Sequence, residues 1–434
     1  MLVVDLDGGL LPSAARHEDF WAGISSDWRG VFDLPRALAG RRPCSEPRGA
    51  KLWADRLPYD RAVLDHVRAW RATGGRAVLV TASAQHLADA VSAHLGVFDA
   101  AHGPEALISA PGFVYLTGRS PDQGLLQRAA RVVPAKDMAG KRATPWPYLR
   151  AMRPHQWVKN TLVFLPLLLA HRFSADVLLQ SFFAFVAFCL VASGVYVLND
   201  LADLATDRAH PRKRNRPFAA GDIPLERGAW MALALFVPGL GIALWLGTAF
   251  LWTMIGYVAV TTAYSLSLKH RFLLDILTLA ALYSLRIIAG AVATGMALSG
   301  WLLGFAVFFF FSLASVKRLA ELVGGPAHGH PTGSGHGYDG EDLPLVQRLA
   351  VGTGVASVLV LAVYINVPAV RALYSAPGLL WGVCAVILAW LGWIVLTARR
   401  GRVQDDPVRF AVTDWFSWLS LALVAALATL GRHI

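Results

Sequence analysis

The residues best placed for chemistry run from Tyr196 to Pro217. They include Asn199, Asp200, Asp203 and Asp207, followed by Lys213 and Arg216. On a helix, Asn199, Asp203 and Asp207 fall at i, i+4 and i+8, which lines three oxygen donors along one face bordered by Tyr196. Mg²⁺ is a hard cation that takes one or two carboxylates and completes its shell with water and substrate phosphates. Lys213 and Arg216 add cations three residues apart, the pattern of a phosphate clamp. The alternative is a helix end with solvated carboxylates and ordinary loop cations. It leaves the alignment of acids beside bases unexplained.

A second set follows in Tyr264, Lys269, Asp275 and Arg286. Asp275 and Arg286 stand eleven residues apart, close to three helical turns, so they share a face about 16 Å apart along it. An arginine deep in an apolar helix is costly and marks a functional candidate, with a structural Asp–Arg or Arg–backbone pairing as the alternative. Lys159 and Lys317 are further candidates for phosphate, or lysines that snorkel to an interface. Near the start, an apolar strand ends in Asp5 and Asp7, and a second ends at Thr81. Strand, helix, strand with polar groups at the carboxyl ends is the doubly wound layout. The histidines of the glycine-rich run from Gly324 to Gly340 read as part of a flexible loop rather than a metal tract.

The elements that must position these residues follow from hydropathy. The 434 residues are 55% hydrophobic and 16% charged, with a mean hydropathy of +0.47, and the apolar blocks begin near Thr161. Blocks of about 18 residues or more can cross a bilayer. Nine spans are expected, at 158–171 (short, entered by a helix from Tyr148), 178–199, 228–247, 249–267, 273–294, 300–316, 349–369, 377–397 and 411–430. With the N-terminus inside, fifteen lysines and arginines from Arg208 to Arg409 fall in inner loops, against Arg172, Arg371 and Arg432 outside. That asymmetry orients the chain with its acid-and-base loop in the cytoplasm. The expected setting is a bacterial-type inner membrane crossed many times. The net charge of +11 then reflects loop bias and phosphate-rich substrates, not nucleic acid. Cys44, Cys189 and Cys384 are too scattered for a disulfide framework or a metal site.

The run Asn199-Asp200-x-x-Asp203-x-x-x-Asp207, with Lys213 and Arg216-Pro217 behind it, resembles the first signature of the UbiA superfamily of transferases. The resemblance extends over residues 148–434. It implies an Asp-rich helix that binds a diphosphate through Mg²⁺. Most members carry two acids in their second motif, where this chain has only Asp275. That difference, with Leu149 to Asn160, Ser315 to Glu321 and Asp405 to Asp414, is similar to the decaprenyl-phosphate phosphoribosyltransferase-like branch. The resemblance implies that phosphoribosyl diphosphate supplies the Mg²⁺-bound diphosphate and a polyprenyl phosphate supplies the nucleophile. Lys159, Lys269, Arg286 and Lys317 would then neutralise the remaining phosphates. Two readings stay open beside it. One is prenyl transfer from an allylic diphosphate, and the other is non-enzymatic transport of a polyprenyl phosphate.

Asp5-x-Asp7-Gly8 and Val80-Thr81-Ala-Ser83 resemble the first two motifs of haloacid-dehalogenase-like phosphatases, where both acids touch Mg²⁺. Gly9 stands where that family has Thr, Arg119 where it has an acid, and Lys136 and Lys141 lie too late for its lysine. A guanidinium offers donors only and cannot ligate a metal. The expectation is a multi-domain protein. A small, non-catalytic α/β domain (1–143) precedes an all-α polytopic membrane domain (144–434), and removing the first should leave transferase chemistry intact. A homo-oligomer is compatible with the sequence.

Overall fold

The computed structural model describes residues 1–26, 54–82, 85–103, 106, 112–118, 121–138, 144–324, 338, 340–372, 374–403 and 407–433. Cys44, Ser83, Arg119, Lys141, most of the glycine-rich run, Asp405 and Asp406 lie outside those residues.

Leu2, Val3 and Val4 are fully buried, as a strand covered on both faces requires. They belong to β1 (Leu2–Asp5), the centre of a parallel five-stranded sheet. The others are β2 (Ala77–Val80), β3 (Ala100–His102), β4 (Val114–Thr117) and β5 (Arg131–Pro134), in the order β3-β2-β1-β4-β5. Leu2 pairs with Ala77 on one side and Val114 on the other. Side chains alternate between two cores, Leu2 and Val4 with Leu79 and Leu116 in one, Val3 with Val78 and Tyr115 in the other. From β1 the chain runs outward through β2 to β3 and then crosses to β4 on the far side of β1, so Asp5 and Asp7, with Thr81 beside them, lie at a topological switch point.

A five-residue turn, Leu6–Leu10, leads into helix α1 (Ala15–Ser26), with Gly8 at φ 75° where a side chain would be strained. Phe20, Trp21 and Ile24 of α1 share one buried core with Val197, Leu201, Leu204, Phe218, Ile223 and Leu225. Residues Met1–His155 and Leu190–Val237 accordingly form one compact unit. A side of the α/β domain is buried against the very loop that carries Asp203 and Asp207.

Gln156–Cys189 and Pro238–Ile434 form the second unit. Eight helices of the chain are long and apolar enough to cross a membrane among the described residues. They begin with α2 (Ala175–Ala202), whose last turns carry Asn199 and Asp200. Next come α3 (Leu225–Leu246), α4 (Thr248–Leu266), α5 (Leu274–Thr294) and α6 (Gly300–Gly324). The last three are α7 (Leu343–Ile365), α8 (Leu380–Arg399) and α9 (Trp415–His433). The short first span expected at 158–171 is not a regular α-helix. It is a 3₁₀ run, Pro154–Phe164, followed by a six-residue α-helix, Leu165–Ala170. That run lies hard against α5 at Gly290, where an added Cβ would stand 2.0 Å from the Val163 carbonyl oxygen.

Alanine is the better helix former by about 1 kcal/mol, so propensity alone would make Gly290→Ala stabilising. The contact with Val163 reverses the sign, and overpacking should cost about 1–3 kcal/mol net. Thermal unfolding in detergent measures it. An equal or higher midpoint in the variant would mean that the two segments do not approach so closely.

Candidate active site

Asp200 organises the acid-and-base loop. Its carboxylate is 2% exposed and accepts from two arginines. Arg153 Nη2 donates to Oδ1, and Arg216 Nη1 donates to the same oxygen at 3.2 Å. Arg216 Nη1 also reaches Asp207 Oδ2 at 2.5 Å. Arg153 lies over the Tyr196 ring, 5.2 Å from its centroid, and holds a left-handed backbone at φ 53°. Such a conformation costs a non-glycine residue roughly 1–3 kcal/mol and persists where its surroundings over-determine it. Here the ion pair and the stacked ring do so.

Helical bonding runs nearly unbroken past the end of α2. Asp203 N donates to Asn199 O and Asp207 N to Asp203 O, both at 2.8 Å, although Asp203 breaks the geometry before the short helix Leu204–Ala209. Asn199, Asp203 and Asp207 therefore keep the expected four-residue spacing. Their environments differ. Asn199 and Asp203 are half-buried, whereas Asp207 is 1% exposed and paired with Arg216. Burial pushes the Asp207 carboxyl up to about 6, against the pull of Arg216. Lys213, in a one-turn 3₁₀ helix held by the His210 ring, is half-buried beside them in sequence.

Among the described residues no three His, Cys, Asp or Glu side chains gather to chelate a metal by themselves. The donor set nonetheless fits Mg²⁺ that relies on substrate phosphate. Asn199 and Asp203 offer hard oxygens, and Asp200 Oδ2 is buried with no hydrogen-bond partner among the described residues. Asp207, expected as a third ligand, pairs with Arg216 through Oδ2.

In the second unit, Asp275 pairs with Arg318. The carboxylate is wholly buried. Arg318 Nε donates to Oδ2, Arg318 Nη2 to Oδ1 at 2.7 Å, and the Tyr264 hydroxyl to Oδ1 at 2.9 Å. Arg318 Nη1 continues to Glu321. Arg286 is equally engaged. It donates to Asn160 Oδ1 at 2.9 Å, the Leu282 carbonyl at 2.5 Å and the Tyr257 hydroxyl at 3.2 Å, among the rings of Phe188, Tyr257 and Tyr283. Lys159 Nζ lies 5.7 Å from the centroid of the same Tyr283 ring. Lys269 sits in a 3₁₀ turn after α4, and Lys317 is half-buried on α6. Leu273, next to Asp275's helix, has φ 61° and donates its N–H to the Tyr338 hydroxyl.

At the sheet's switch point every acidic oxygen has a protein donor. Asp5 Oδ1 accepts from Asp7 N at 3.0 Å and Oδ2 from the Tyr115 hydroxyl at 3.1 Å. Asp7 Oδ1 accepts from Ala15 N at 2.6 Å, and Oδ2 from the Thr81 hydroxyl at 2.9 Å and Ala82 N at 3.1 Å. Burial, with the charge of Asp7, pushes the Asp5 carboxyl up to about 7.

Sequence reasoning quoted Asp200, Arg153, Arg318 and Asn160 within their motifs but assigned none of them a role. Asp200 falls off the i, i+4 face that the spacing argument followed, and Arg318 hides beside Lys317. Only the positions of Arg153 before Pro154 and of Asn160 at the mouth of an apolar block could have drawn attention.

Comparison with known proteins bears on both parts. Residues 2–151 match haloacid dehalogenase-like hydrolases. An uncharacterized protein, y4nM, of Sinorhizobium fredii (strain NBRC 101917 / NGR234) is 34% identical over 98% of this chain and 90% of its own length. Decaprenyl-phosphate phosphoribosyltransferase of Mycolicibacterium smegmatis is 42% identical over 40% of this chain and 56% of that protein. A solved UbiA homologue from Archaeoglobus fulgidus aligns with 65% of this chain and 99% of its own, at 15% identity and a TM-score of 0.48. Residues 160–421, more than half of a multi-pass membrane protein whose first signature stands at the end of α2, match the UbiA prenyltransferase family, and to that family the chain belongs.

Proposed function

We propose that the protein joins phosphoribosyl diphosphate to a polyprenyl phosphate and releases diphosphate, at the cytoplasmic face of a bacterial-type inner membrane. The observation that carries this reading is the burial of Asp275. Its oxygens are bound by Arg318 and Tyr264, so the second motif has no carboxylate to offer a metal-bound allylic diphosphate. The Asp-rich loop from Tyr196 to Arg216 is left as the diphosphate site. The similarity to decaprenyl-phosphate phosphoribosyltransferase supports the choice of sugar donor.

Asn199 and Asp203 would hold Mg²⁺, with Asp200 Oδ2 in reserve. When bound, the ion supplies Lewis-acid neutralisation of charge on the departing diphosphate. Arg153 and Arg216, fixed by Asp200, and Lys213 add positive charge along the same loop. The bond from the ribose carbon to diphosphate breaks, and a bond to a lipid phosphate oxygen forms from the opposite side. Lys159, Lys269 and Lys317 offer charge to the lipid phosphate. Arg286 and Arg318 each donate from all three nitrogens to the protein and serve as positioning residues. Asp5 and Asp7 hold structure together at the strand ends.

Purified full-length protein, given polyprenyl phosphate and either phosphoribosyl diphosphate or an allylic diphosphate, tests the donor. Diphosphate release and a phosphoribosyl lipid are expected with the first donor and little turnover with the second. Transfer from the allylic donor to an aromatic acceptor, with none from the sugar donor, would establish prenyl transfer instead.

Asp203→Asn should weaken Mg²⁺ use by about 10–100-fold and abolish turnover when Mg²⁺ is limiting, because a hard cation loses a charged oxygen. Near-normal activity there would remove Asp203 from the metal site. Arg318→Met should cost about 3–5 kcal/mol by stranding Asp275, and Asp275→Asn/Arg318→Met should recover most of it. A double variant no more stable than the single one, by thermal midpoint, would show that the pair is not the constraint. Phosphate release from the phosphoribosyl lipid should stay at background in wild type and in Asp5→Asn alike. Efficient release that Asp5→Asn alone removes would make the first domain a phosphatase.

A further inference from the structure

We infer that the α/β domain positions the transferase loop, through a buried ion pair between Glu18 of α1 and Arg208 of the Asp-rich segment. The inference rests on the reading of that loop as the diphosphate site. Glu18 is 1% exposed and Arg208 8%. The pair is bidentate, Nη1 to Oε2 at 2.7 Å and Nη2 to Oε1 at 3.1 Å, which fixes the guanidinium plane as well as its charge. The third edge, Nε, donates to the Ala219 carbonyl at 3.3 Å. Arg208 therefore ties together two pieces of the loop. One is the short helix bearing Asp207, and the other is the stretch after Arg216-Pro217. Asp207 and Arg216 are themselves paired, so the position of Arg208 bears on both.

Glu18 in turn has a fixed seat. Asp7 at the end of β1 accepts from Ala15 N in the first turn of α1. Just before that turn, Ala14 N donates to Glu226 Oε1 at 2.6 Å, and Leu225 N donates to the Ser13 hydroxyl at 3.0 Å. Gly221, at φ 75°, lies so close to Pro12 and Pro58 that a Cβ would stand 2.7 and 2.9 Å from them. Beneath the ion pair, Phe20, Trp21 and Ile24 fill the core shared with Leu204 and Phe218. An isolated surface contact would carry no such consequence. A bidentate pair buried over an apolar core, joined by two backbone hydrogen bonds and the close approach of Gly221, makes the α/β domain a brace for the loop. It also accounts for Asp7, whose oxygens hold α1 and β2 rather than a substrate.

The test uses the full-length protein and Glu18→Gln, which keeps the side-chain length but removes the charge, with the exchanged pair Glu18→Arg/Arg208→Glu as a second variant. Hydrogen–deuterium exchange is read over 204–219 and, as a reference, over 274–324. Affinity for inorganic diphosphate with Mg²⁺ is read by calorimetry. Glu18→Gln is expected to speed exchange over 204–219 alone and to weaken diphosphate binding by about tenfold or more, the scale of lost support around a metal site. The exchanged pair is expected to restore both readouts to within a few-fold. Unchanged exchange over 204–219, or exchange that rises equally over 274–324, would overturn the inference. A wild type that binds no diphosphate would instead count against the functional reading, and the exchange comparison would still decide whether Glu18 holds the loop.

Discussion

Asp200 ends an apolar helix with its carboxylate almost entirely removed from water, and a charge so placed must be compensated by partners of fixed geometry. Arg153 and Arg216 are those partners, and much of the first unit is built around bringing them there. Arg153 accepts a strained backbone to do so. Arg216 arrives from sixteen residues downstream and recruits Asp207 on the way. The result is a loop whose cations are held in place by carboxylates; on the proposed function, little reorganisation would remain for the moment of reaction.

The second unit solves the same electrostatic problem differently. Asp275 and Arg318 neutralise each other inside apolar helices, and Arg286 is satisfied by an amide, a carbonyl, a hydroxyl and three aromatic faces. Charges this deep are usually functional or tightly paired. Here they are paired.

Much of this was legible in the sequence because it depends on local spacing. The four-residue interval of Asn199, Asp203 and Asp207 survives in the structure, as do the apolar spans and the order of strand, helix and strand around Asp5 and Thr81. What the sequence did not disclose depends on contacts between distant residues. Arg153 meets Asp200 across 47 positions, Arg318 meets Asp275 across 43, and Arg208 meets Glu18 across 190. Arg286 was read with Asp275 because they share a helix face, whereas each turned to a nearer partner on another element. The irregular first span escaped notice for a different reason. A 3₁₀ run has no hydropathy signature of its own, and its close packing on Gly290 is a contact between distant residues.

The central claim is that one Asp-rich loop, and not two motifs, holds the diphosphate. Calorimetric titration of the full-length protein with inorganic diphosphate in saturating Mg²⁺ tests it through stoichiometry. One Mg²⁺-dependent site per chain, insensitive to Asp275→Asn in protein that remains folded, is the predicted result. Two sites, or one that Asp275→Asn eliminates while the fold persists, would contradict the account.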